Sequence, residues 1–144
     1  MPLFFALLLG LMLASGSAAA QSASPLGIWL HDNQRIQIEI AACEEHLCAK
    51  IIWLKSPTDA QGLPLADARN PNPALRERPL LGLLVLEGLR RTGDNSWEEG
   101  KIYNPDDGGG YRANMSMGAD GNLHIRAYVL LPLFGRTLKW TRVR

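Results

Sequence analysis

Net charge is what this chain has least of. Fifteen basic and fourteen acidic side chains leave a formal charge of +1. The charges are interspersed, and adjacent like pairs such as Arg90-Arg91 and Glu44-Glu45 are short. That balance argues against the basic footprint of a nucleic-acid binder and against a polybasic membrane patch. Cysteine is scarce as well. Both cysteines lie in Cys43-Glu44-Glu45-His46-Leu47-Cys48. The spacing is not the C-x-x-C of a redox pair, and His46 alone completes no zinc set. In an oxidising compartment two close cysteines read as a structural disulfide, Cys43–Cys48. It closes a tiny loop, so it adds only about 2 kcal/mol in the loop-closure picture.

Motifs for covalent chemistry are missing. No serine sits in a G-x-S-x-G elbow. His31, His46 and His124 are far apart, without H-x-x-x-H spacing. Asn104-Pro105-Asp106-Asp107-Gly108 invites a calcium reading, but it lacks the distal glutamate of a calcium loop and reads as a hairpin turn. No catalytic residue, metal or cofactor is assigned, and an enzyme is not expected. Long helical periodicity is also absent.

What is present begins with an export signal. Leu3 to Ala14 is almost unbroken leucine, phenylalanine, alanine and methionine, followed by Ser15-Gly16-Ser17-Ala18-Ala19-Ala20. An apolar core before small residues predicts a signal peptide over 1–20, cut between Ala20 and Gln21. The run is shorter than the ~20 residues a spanning helix needs, and no cysteine near the cut could carry a lipid anchor. Residues 21–144 are then one periplasmic or secreted domain, with no integral membrane segment.

The mature part reads as short strands between turns. Arg35 to Ile40 alternates, with Ile36, Ile38 and Ile40 on one face. Ala49 to Leu54 is its hairpin partner across the cysteine loop. Further strands are expected around Ile28-Trp29-Leu30, at Gly82 to Leu89, Trp97 to Tyr103, Tyr111 to Met117, Leu123 to Leu130 and Thr137 to Val143. Lys55 to Pro79 is a long proline-rich loop, with one helical turn capped by Asn72 and started by Pro73. Eight strands with short turns predict an all-β, antiparallel up-and-down barrel, the strand number that closes a small one. Alternation puts Tyr111, Ala113, Met115 and Met117 inward, with Leu123, Ile125, Ala127, Val129, Leu138 and Trp140. Such a barrel is either just filled by side chains or holds one small ligand. Alternation leaves both open, with the filled core the simpler expectation.

Several segments together resemble a known family. These are Gly27-Ile28-Trp29, Cys43 to Ile51, Asn70 to Gly82, Trp97 to Gly108 and Gly135 to Val143. They look like the secreted bacterial proteins of domain-of-unknown-function family 2147. The chain departs from that family at Gly109-Gly110, where Lys-Thr is usual before the tyrosine. The resemblance implies export and a calycin-like barrel, and supplies no activity. Gly27-x-Trp29 also resembles the lipocalin start motif. There the tryptophan packs at the barrel base beneath an arginine of the last strand, a position that Arg142 matches.

Candidate binding residues are Arg76 in the long loop and Lys101, Tyr103 and Tyr111 beside the Asn104–Gly110 hairpin. If loop and hairpin meet at one rim, they form a polar, aromatic mouth for an anionic or amphipathic ligand. Two functions follow. One is a carrier of a small, mainly apolar or amphipathic molecule. The other is an envelope module with a filled barrel, which contacts another protein and holds no ligand.

Overall fold

The computed structural model describes residues 24–144. The predicted signal peptide lies outside the described residues. Eight strands run in chain order: β1 (Gly27–His31), β2 (Ile36–Cys43), β3 (His46–Leu54), β4 (Leu84–Gly93), β5 (Ser96–Asn104), β6 (Gly109–Met117), β7 (Leu123–Tyr128) and β8 (Gly135–Arg142). Each pairs antiparallel with the next, and β8 returns to β1, closing an all-β, calycin-like barrel. Closure leaves no unpaired edge.

Alternation explains the wall. Ile38, Ile40, Ala113, Met115, Leu123, Ile125 and Trp140 are buried inside, while Glu39, Ser116 and Lys139 face out. The exception is a bulge in β5, where the register with β6 shifts between Trp97 and Gly100. Glu99 takes a positive φ there. The extra residue makes Trp97 and Gly100 both face inward, so Lys101 points out and Ile102 in. Gly100 is needed because a Cβ would press on the side chain of the buried Leu89.

Successive hairpins alternate between the two ends of the barrel. The β2–β3, β4–β5 and β6–β7 turns and both described termini gather at one end. That end is filled. Trp29 is fully buried, and its indole N–H donates to the Pro25 carbonyl at 2.8 Å. The Arg142 guanidinium lies 4.3 Å from its ring centroid and donates to the carbonyls of Leu26 and Ser24. Arg142 is also the direct β8 partner of Trp29. Cys43 and Cys48 are disulfide-bonded at the same end, across the two-residue Glu44-Glu45 turn.

The β1–β2 turn, the 55–83 loop and the β5–β6 and β7–β8 turns gather at the other end. The long loop is ordered by its own contacts. A 3-10 turn over Pro73–Leu75 is capped by Asn72, whose side chain accepts from the Ala74 N–H. Isolated bridges join Thr58 to Pro64 and Ala66 to Pro79.

Candidate functional site

The second end of the barrel is not filled. A cavity of about 640 Å³ opens there, within the range of small-molecule pockets. Its floor is Ile38, Ile51, Leu86, Ile125 and Trp140, and Leu65 and Leu80 of the long loop form part of its side. The expectation of a filled interior therefore holds only for the end closed by Trp29. The reason is side-chain size. The strands carry their large buried groups, Trp29, Leu89, Trp97 and Leu123, toward the closed end, while Ile36, Ala127 and Leu138 near the open end do not meet across it.

The rim is polar and aromatic. His31, the inward β1 partner of Trp140, packs edge-on against that ring at 4.6 Å between centroids. Burial pushes its imidazole below the usual histidine value, against the opposing pull of Asp32 and Asn33. Nδ1 accepts the Asn33 N–H and lies 3.1 Å from Asp32, a contact that becomes an ion pair only when the ring is protonated. Tyr111 donates its hydroxyl to Asp107 at 2.6 Å, and Asp107 also accepts the Gly109 N–H. The Tyr111 bond, then the Gly109 bond, hold the Asp107 carboxyl below its ordinary value, and the same contact raises the Tyr111 phenol.

Arg136 shares the inward side of β8 with Leu138 and Trp140 and lines the cavity. Among the described residues it forms no ion pair or side-chain hydrogen bond, although its charge is felt at Asp107, Tyr111 and His31. Arg35, in the β1–β2 turn, lines the same rim. One further polar group is unmatched: among the described residues the buried Trp140 indole N–H has no acceptor. An orphaned buried donor costs about 1–3 kcal/mol.

The long loop and the β5–β6 hairpin do meet. Asp67 is fully buried and accepts from Tyr103 at 2.5 Å, Asn70 at 2.9 Å and Arg78 at 2.8 Å. Burial opposes its charge, but the three donors outweigh burial and hold the carboxyl below its usual range. The Tyr103 phenol is raised by burial and by Asp67. Gly108 lets the hairpin approach the loop. Its φ is +70°, and a Cβ there would collide with the Arg69 carbonyl.

The candidate residues therefore separate. Tyr111 and Tyr103 line the cavity, but the Tyr103 hydroxyl is spent on Asp67. Arg76 is exposed, donates to the Asn70 carbonyl and does not line the cavity, so its assignment to the mouth is corrected. Lys101 is corrected too, because the β5 bulge turns it to the outer wall, where it lines a separate hollow. Arg136, Arg35 and His31 were missed. Arg136 had a signal in the sequence, two positions before Leu138 on the inward side of β8. Asp67, Asn70 and Arg78 lie in an irregular loop, where no periodicity marks a buried charge.

With that geometry in place, comparison with known proteins gives two matches. A family model described as an uncharacterized protein conserved in bacteria (DUF2147) matches residues 27–142. A solved structure, protein HP1028 from the human pathogen Helicobacter pylori, described as belonging to the lipocalin family, is similar with a TM-score of 0.73 and 25% identity. The similarity covers 85% of this chain and 84% of that one. No curated protein matches.

Proposed function

From the premise that this chain belongs to the DUF2147 family of bacterial proteins, we propose that it is an exported carrier of one small amphipathic anion. The observation that carries the reading is the open cavity of about 640 Å³, apolar below, with the unpaired Arg136 at its rim. An apolar tail fills the space above Ile38, Ile51 and Ile125. An acidic head takes the Arg136 guanidinium, with the Tyr111 ring beside it. An arginine without a carboxylate partner at a cavity mouth favours an anion, because a charge-assisted bond is worth about 1.5–3 kcal/mol. Arg35 is a second cation on the same rim, and the Asp106 and Asp107 carboxylates stand on it too. Similarity to a protein described as a lipocalin supports a binding role for the barrel. The export signal expected over 1–20 would put that work in the periplasm or the medium. No catalytic step is part of this reading.

Titration with dansyl-labelled undecanoic acid tests it. The probe should saturate at one per chain, and Arg136→Gln should weaken binding about tenfold or more. Equal affinity in parent and variant would remove Arg136 from the site. No binding of this probe or of other acidic amphiphiles would leave the ligand-free interaction module as the better account.

A further inference from the structure

The β7–β8 turn is the least buried apolar segment near the mouth. Val129, Leu130, Leu131, Leu133 and Phe134 are all exposed, Leu130 at 81% and Leu133 at 78%. Leu130 also takes a positive φ, 63°, which a leucine adopts only at a cost. Within the molecule this strained side chain gains no packing in return. The turn is nevertheless held in shape. Val129 N–H bonds to Phe134 O, and Phe134 N–H to Leu131 O. The Arg126 guanidinium donates to the carbonyls of Pro132 and Leu133 and to the Thr137 hydroxyl. These backbone groups are thus already partnered, as they must be to leave water for a lipid phase.

Cations stand beside the turn. Lys101 and Arg112 are direct cross-strand partners on the outer wall, a like-charge pairing that ordinarily destabilises a sheet. Neither forms an ion pair among the described residues; Glu87 is the strand partner of Lys101 but does not reach salt-bridge distance. Both line a hollow of about 480 Å³ together with Leu84, Tyr128 and Leu130. The apolar turn, the two cations and Glu87 therefore share one surface, which carries a net positive charge. The overall charge balance conceals this asymmetry, because from Gly121 to Arg144 the chain has no acidic residue.

We propose that the β7–β8 turn, with Lys101 and Arg112 beside it, docks the protein on the surface of an anionic phospholipid bilayer. Leu130, Leu131, Leu133 and Phe134 enter the boundary between headgroups and acyl chains. Lys101 and Arg112 meet the lipid phosphates, in the manner of apolar tips with basic flanks. Val129 and Phe134 also line the cavity mouth, so docking brings that mouth to the bilayer. The proposal does not depend on a ligand, since vesicle binding can be measured on the empty protein.

The experiment is co-sedimentation of the mature protein with phosphatidylglycerol-containing vesicles, compared with pure phosphatidylcholine vesicles. Parent protein should bind the anionic vesicles and release as salt is raised. The double variant Leu130→Ser with Leu133→Ser should lower the partition coefficient about tenfold or more, with an unchanged melting temperature, because both side chains lie in water. Arg112→Glu should weaken binding to anionic vesicles and leave the weak binding to phosphatidylcholine unaltered. No binding to anionic vesicles, or binding that both variants retain, would overturn the proposal. So would a concentration-dependent dimer that the double variant abolishes in the absence of vesicle binding, which would assign the turn to a second copy of the chain.

Discussion

Replacing Asp67 with alanine should detach the long loop from the barrel. Asp67 is fully buried and holds three donors, one of them the Arg78 guanidinium. Removing one partner of a buried charged pair costs about 3–5 kcal/mol. Arg78 is 35% exposed, so water recovers part of that cost. Asn70 Nδ2 keeps its 3.3 Å contact with Tyr103, and Oδ1 still accepts the Asn72 N–H. The net loss should be about 2–4 kcal/mol, or roughly 6–15 °C in melting temperature for a domain of this size. The loss should be local first. Under hydrogen exchange, the amides of Asp67 and Leu80, which bond to Arg78 O and Leu65 O, should lose protection before those of β6 and β7. The pH dependence has a definite sign. Because the folded carboxyl is lowered, its contribution is complete above the ordinary aspartate value of about 3.9 and disappears only as pH falls through the lower folded value. Unchanged melting and unchanged loop protection in Asp67→Ala would refute the view that this cluster pins the loop.

Other consequences are open to the same kind of measurement. Trp29→Ala should cost about 3–5 kcal/mol in urea unfolding, as truncation of a fully buried aromatic does; an unaltered midpoint would mean that Trp29 does not close the barrel. Thiol titration of denatured, unreduced protein should find no free thiol, and reduction should cost about 2 kcal/mol because the Cys43–Cys48 loop is short. The His31 imidazole is lowered by burial, so the unfolded chain takes up that proton first. Stability should therefore fall as pH drops below about 6.5 and level off below the folded value, and His31→Gln should flatten that slope.

The barrel was legible because its strands obey a period of two. Ile36-Gln37-Ile38-Glu39-Ile40 and Tyr111 to Met117 could each be oriented from alternation alone, and the turns at Asn104–Gly108 and Ala119–Asn122 carry residues that bend a chain. Gly27-x-Trp29 and Arg142 pointed to one end through their resemblance to the lipocalin start motif and its terminal arginine. The rim was less legible. Strand β4 extends to Gly93, beyond the Leu89 at which the expected strand ends, because arginines on the outer wall look like loop residues. Arg76 and Lys101 attracted attention as cations near a turn, but their direction is decided by a hydrogen bond to Asn70 in one case and by the β5 bulge in the other. Asp67 became visible only when Tyr103, 36 residues away, came to meet it. Long-range pairing of that kind leaves no local mark.

Native mass spectrometry of the mature protein, purified without detergent from the cells that make it, decides whether the open-end cavity carries one small amphipathic anion. One acidic adduct per chain should be retained, released by organic extraction and depleted in Arg136→Gln. Bare mature chain from every preparation, together with no adduct after incubation with acidic amphiphiles, would contradict it.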